Sequence, residues 1–139
     1  VPNTFDTVTL VEAKQMLSAA ERMAASFGVA YNIAVVDAGG HLVAFVRQDG
    51  ALIGSIDLAV HKAVTARIFD KSTSELAALA QSGKPLFGIQ ESNAGSVVIF
   101  GGGVPILSGG KIIGAVGASA GTVEQDIAVA EAAATALAT

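Results

Sequence analysis

Tyr31-Asn32-Ile33-Ala34-Val35-Val36-Asp37-Ala38-Gly39-Gly40-His41-Leu42-Val43-Ala44-Phe45-Val46-Arg47 is the stretch that decides the fold. Alternate residues of an extended chain point to opposite sides. Tyr31, Ile33, Val35 and Asp37 therefore share one face of a first strand, and His41, Val43, Phe45 and Arg47 share one face of a second. Between them, Ala38-Gly39-Gly40 supplies the positive φ of a tight turn, so the stretch reads as a hairpin. Both of its faces carry apolar residues, which calls for helices or a neighbouring subunit on both sides.

Outward from the hairpin the periodicity changes. Leu10, Ala13, Leu17, Ala20, Ala24 and Phe27 repeat at three and four, a helix over 10–27 opened by the Thr9…Glu12 capping box and closed by Gly28. After the Gln48–Leu52 loop, a second helix runs over 56–69, entered through Gly54-Ser55. A third opens with the Ser72…Glu75 capping box and runs through Ala80, before Gly83 and Pro85 end it. Residues 84–96 read as a long irregular loop, a kind of segment that often carries function. Strands are expected at Ser96–Phe100, Val104–Leu107 and Lys111–Ser119, and an Ala-rich helix over 123–137. The order α-β-β-α-α-β-β-β-α predicts one α+β domain over 1–139: an antiparallel sheet of five strands flanked by helices.

Composition narrows the function. Of 139 residues 52% are apolar and 14% charged, with 8 Lys and Arg against 12 Asp and Glu. A net charge of -4 without a basic cluster argues against nucleic acid. The absence of Cys excludes disulfides, Fe–S clusters and Cys-based zinc sites, and two His exclude a three-His metal site within one subunit. The longest uncharged stretch, Ser92–Gly110, is broken by glycines and by Pro105, so no membrane span is expected. Val1-Pro2-Asn3 shows no signal-peptide pattern, and the expected location is cytoplasmic, although a processed exported chain would look the same. A monomer's surface is roughly 25–35% charged, so this chain is expected to form a homo-oligomer.

The candidate chemistry is sparse. His41, beside apolar residues and Arg47, suits an axial ligand to haem iron with Arg47 on a propionate; an exposed hairpin-tip His explains the same pattern. His61 follows Asp57 by one helical turn, and a carboxylate so placed fixes the imidazole tautomer, as it does for many metal-bound His. A solvated helix face accounts for it equally. Lys62, on a mostly apolar helix, is a desolvated base, an anion ligand or a snorkelling side chain. Glu91 and Asn93 lie in the long loop. Asp126, in the first turn of the last helix, fits a helix-dipole role. Gly101-Gly102-Gly103 lacks the context of a phosphate loop and reads as a close approach of two backbones or of a flat ligand.

Taken in order, several motifs resemble those of one family. They are Ile33–Val43 with its Asp37-Ala38-Gly39-Gly40-His41 core, Arg47-Gln48-Asp49-Gly50-Ala51, Lys62-Ala63-Val64-Thr65-Ala66, Gly101-Gly102-Gly103-Val104-Pro105-Ile106, Ile113–Ser119 and Gln125-Asp126. They are similar to those of the GlcG/HbpS-like family, which includes the C-terminal domain of PduO-type corrinoid adenosyltransferases. The resemblance implies a profilin-like fold assembled as dimers to octamers. It also implies haem binding, or haem and redox sensing, in some members. It carries Asp37, Arg47, Asp49, Lys62, Thr65, Gly101, Gly102, Gly103 and Asp126 as motif positions. Arg47 and Lys62 would then grip an anionic group, the glycines would floor a cofactor pocket, and His41 would ligate the metal. Two functions follow. One is a haem-binding module, with His41 or His61 on the iron. The other is a small-molecule enzyme or accessory protein of catabolism, in which Lys62, Arg47, His61 and Glu91 bind a small anionic or carbonyl compound and move a proton. A purely structural interaction module is a third reading.

Overall fold

The computed structural model describes residues 1–137, so the last two positions of the expected domain lie outside it. Helix α1, Leu10–Phe27, has both halves of the Thr9/Glu12 capping box and ends on Gly28 at φ 68°, where a residue without Cβ avoids strain. The hairpin is β1, Asn32–Asp37, and β2, Leu42–Arg47. Helices α2, Gly54–Phe69, and α3, Thr73–Leu79, follow, and α3 opens on the Ser72/Glu75 capping box. Strands β3, Gly103–Ser108, and β4, Lys111–Ser119, precede α4, Val123–Ala134, which starts on a Thr122/Gln125 capping box. All pairings are antiparallel, and the sheet order is β2-β1-β4-β3.

The sheet is covered on both faces. Helices α1 and α4 pack on each other and over Ile33, Val35, Val116 and Ala118. On the other face α2 sets Ala59, Ala63 and Ala66 against Ala34, Val36 and Ala115. The approach there is so close that a methyl group on Gly117 would overlap the Ala59 carbonyl and the Ala63 amide. Among the described residues, no helix is long and apolar enough to cross a membrane.

Three expectations need correction. Among the described residues the sheet has four strands, not five, because Ser96–Phe100 joins none. Its neighbours Val97 and Val98 are both buried, unlike alternating strand residues, and the Val98 N–H donates to Thr65 Oγ1 of α2 at 3.1 Å. Helix side chains thus supply partners that a strand would have supplied. Second, His41 lies in the turn before β2, whose register shifts opposite Val35/Val36. The bulge breaks the alternation, so Val43 and Ala44 both lean toward the α1/α4 side while Phe45 packs toward α2. Third, the last helix stops at Ala134, short of Leu137. The long loop holds a 3₁₀ turn, Ile89–Glu91, and then a left-handed turn through Asn93, Ala94 and Gly95, with φ of 53°, 58° and 76°.

Candidate functional site

Lys62 of α2 is fully buried, and its ammonium points to the end of the sheet where α4 begins. Nζ donates to Asp126 Oδ2 at 2.8 Å and to the Ala118 carbonyl at 3.0 Å, and it lies 4.8 Å from the centre of the Phe100 ring. Asp126 Oδ1 accepts from the Tyr31 hydroxyl at 2.8 Å and from the Gly121 and Ala120 N–H groups at 3.0 and 3.3 Å. The ammonium therefore has two oxygen acceptors with the Phe100 ring beside it, and both carboxylate oxygens are engaged. Burial lowers the Lys62 pKa from its ordinary value, and the hydrogen bond and charge of Asp126 oppose that shift. Burial, then the bond to Asp126, raises the Tyr31 pKa well above the usual tyrosine range. The helix-dipole reading of Asp126 misses this use: the side chain turns inward, and Gln125 completes the cap.

The three glycines belong to the same structure. The space beside Gly102, at φ 125°, is filled by Lys62 Nζ, and that beside Gly103 by the Lys62 carbonyl and Thr73. Gly101 lies against Ile127 and Ser74. The Gly103 N–H donates to Thr73 Oγ1 at 2.9 Å, and the Ala118 N–H to the Gly102 carbonyl at 2.9 Å. The glycine run is thus where one backbone crosses another over the Lys62 ammonium.

His61 faces elsewhere. One residue along an α-helix turns the side chain by roughly 100°, which carries His61 from the Lys62 side to the flank shared with Asp57 and Val64. Its Nδ1 lies 3.0 Å from Asp57 Oδ2, and its side chain is 33% exposed. His41 is 84% exposed, with Nδ1 3.6 Å from Asp37 Oδ1. Asp37 builds the hairpin turn by accepting the Gly39 and His41 N–H groups at 2.9 and 3.0 Å. Arg47 is exposed at the end of β2, opposite Asn32. Glu91 is exposed in the 3₁₀ turn. Among the described residues no hydrogen bond or ion pair joins any two of Lys62, Arg47, His61 and Glu91.

The residues missed from sequence were Tyr31 and Phe100. A signal existed: Lys62 and Asp126 are each a charge on an otherwise apolar helix stripe, and a buried charge needs an opposite partner.

A sequence model of the family described as haem degrading protein, HbpS-like, matches residues 8–135. The uncharacterized 15.0 kDa protein of the dhaT–dhaS intergenic region of Citrobacter freundii is 44% identical over 125 residues, covering 90% of this chain and 88% of that protein. Two solved structures superpose closely. The Klebsiella pneumoniae protein ORFY gives a TM-score of 0.94 at 38% identity, covering 97% of this chain and 93% of that one. The PduOC:heme complex gives 0.91 at 35% identity, covering 95% and 96%.

Proposed function

The chain belongs to the haem-degrading, HbpS-like family, and from that premise we propose that it is a haem-binding module, assembled as a homo-oligomer, that senses haem or its redox state. The observation that carries this reading is the superposition, over 95% of the chain, on a relative solved with haem. The donor set is compatible with it. The chain has no Cys, so the protein's axial donor would be imidazole or a weaker oxygen ligand. Both of its histidines lie outside the core. When bound, haem would supply a redox-active iron; the protein's part would be to give an axial donor, to cover the porphyrin with apolar side chains and to meet the propionates with a cation. Of the four residues of the catabolic-enzyme reading, His61 and Lys62 are neighbours on α2 that point to different sides, Arg47 ends β2, Glu91 lies in the 3₁₀ turn, and the Lys62 ammonium is enclosed.

The test is a hemin titration of the purified chain followed at the Soret band. A saturable, stoichiometric, red-shifted band is expected. A weak band that never saturates means adventitious adsorption to apolar surface and sinks the proposal.

A further inference from the structure

We infer that the Lys62 ammonium and the backbone N–H groups of Gly101 and Gly102 form a ligand site of their own, a cradle of donors for the carboxylate of a small organic acid, with the Phe100 ring as its lid. This site does not rest on the haem-binding reading.

Donors outnumber acceptors around Nζ. An ammonium carries three N–H groups, and that of Lys62 gives two of them to Asp126 Oδ2 and the Ala118 carbonyl. Beside the third stands the Phe100 ring, its centre 4.8 Å from Nζ. Gly101 and Gly102 are both buried, and Gly102 lies directly against Nζ. Among the described residues the N–H groups of these two glycines find no acceptor. An enclosed N–H without a partner is rare and costly in a folded chain. Two in succession, next to an ammonium with a donor to spare, call for an acceptor that the chain does not itself provide.

The acceptors close by are already taken, which sets the chemistry of the ligand. Asp126 Oδ1 accepts from Tyr31 and from the Gly121 and Ala120 amides, and Oδ2 accepts from Nζ. The Gly102 carbonyl accepts the Ala118 N–H, and Thr73 Oγ1 accepts the Gly103 N–H. What is left over is three N–H donors. A metal cation would be repelled there, and a ligand bearing its own donors would find nothing to receive them. A carboxylate brings two acceptor oxygens and no donor, and its bond to an ammonium is of the strong, charge-assisted kind.

Lys62 is fully buried, so the cradle is closed in this structure, and Phe100 is the part of the chain able to open it. The ring is 39% exposed, one portion in water and the rest beside Nζ. From Ile99 to Gly102 the backbone has no regular structure, and among the described residues its four N–H groups make no hydrogen bond. Both ends of this segment are pinned, by the Val98 N–H on Thr65 Oγ1 and the Gly103 N–H on Thr73 Oγ1. Between those pins two glycines follow the aromatic residue. A short segment so weakly held between fixed ends opens at small cost. Its outward turn leaves beside Nζ a space the width of a phenyl ring, which is ample for a carboxylate.

Nitrogen–proton NMR spectra of the isotope-labelled chain, titrated with sodium acetate and, at equal ionic strength, with sodium chloride, test the site. Acetate is expected to shift the Gly101 and Gly102 amides and the Lys62 ammonium saturably, and chloride to leave them in place. Acetamide, neutral and of similar shape, should move them far less. Phe100→Ala should bind acetate about tenfold more tightly, since no cation–π contact then has to be displaced. Lys62→Met combined with Asp126→Asn removes both charges together and should abolish the shifts. Where circular dichroism shows that double variant unfolded, the ammonium signal of the wild type carries the same assignment. Glycine amides unmoved in wild type and Phe100→Ala alike, or moved equally by chloride, overturn the site. An equal response to acetamide overturns the carboxylate as its ligand, and equal affinity in wild type and Phe100→Ala overturns the lid.

Discussion

Tyr31, the only tyrosine, donates to a carboxylate that also holds an ammonium, and this makes the core sensitive to alkali in a defined direction. An ion pair enclosed between α2 and α4 contributes little net stability once desolvation is counted, but breaking it strands a charge. Two titrations report on it. The Lys62 pKa is lowered in the native state, so below a pH near 10.4 the unfolded chain holds a proton that the native one has begun to release, and stability rises with pH through that window. The Tyr31 pKa is raised. Its contribution is full below the ordinary tyrosine value near 10, and is lost above it, as the unfolded chain ionises and the native one does not. Urea midpoints measured from about pH 9 upward should therefore fall beyond pH 10, and Tyr31→Phe should flatten that fall. An unchanged alkaline slope in Tyr31→Phe contradicts the placement of its hydroxyl on Asp126.

Glycines distinguish the elements that must touch from those that need not. Gly117 of β4 lies where a methyl group would overlap α2 backbone, so Gly117→Ala must push the helix off the sheet. A cost of about 3 kcal/mol or more is expected, as for an overpacked core. Gly54, at the start of α2, has nothing near its missing side chain, and Gly54→Ala should be neutral or gain up to about 1 kcal/mol from helix propensity. Urea unfolding of both variants is the check, and equal midpoints would refute the close α2–β4 packing. The same contrast explains what could be read in advance. The capping boxes at Thr9 and Ser72, the hairpin and the Gly28 cap are local, each decided within a few residues, and they were legible. Ser96–Phe100 was misread because its β-branched run satisfies strand propensity, whereas the Thr65 hydroxyl that captures its amide is 33 residues away. The β2 bulge was invisible for a similar reason, since register belongs to a strand pair and not to either strand. At the candidate site, the Asp57–His61 pair could be read from its i,i+4 spacing. The Lys62–Asp126 pair spans 64 positions, and no periodicity reports such a distance.

The whole molecule has too few charges for the surface it presents. With 14% charged residues it falls well below the roughly 25–35% expected of a solvated domain surface, and each edge strand of the sheet exposes a leucine, Leu42 on β2 and Leu107 on β3. Leu42 on the β2 edge is 52% exposed. At the other edge β3 exposes Leu107, at 64%, beside a shallow groove of about 700 Å³ lined by Met23, Val104, Pro105, Ala128 and Ala132. An edge strand with an exposed apolar residue invites pairing unless something covers it. In the proposed homo-oligomer a second copy of the chain does so. Sedimentation equilibrium at micromolar concentration should then return a multiple of 13.8 kDa. Leu107→Glu should shift that mass toward the monomer, because a carboxylate buried at a subunit contact without a partner is strongly disfavoured. A monomeric wild type would refute the oligomer, and an intact oligomer in Leu107→Glu would move the contact away from β3. Loss of hemin binding together with dissociation would mean that both subunits build the porphyrin site.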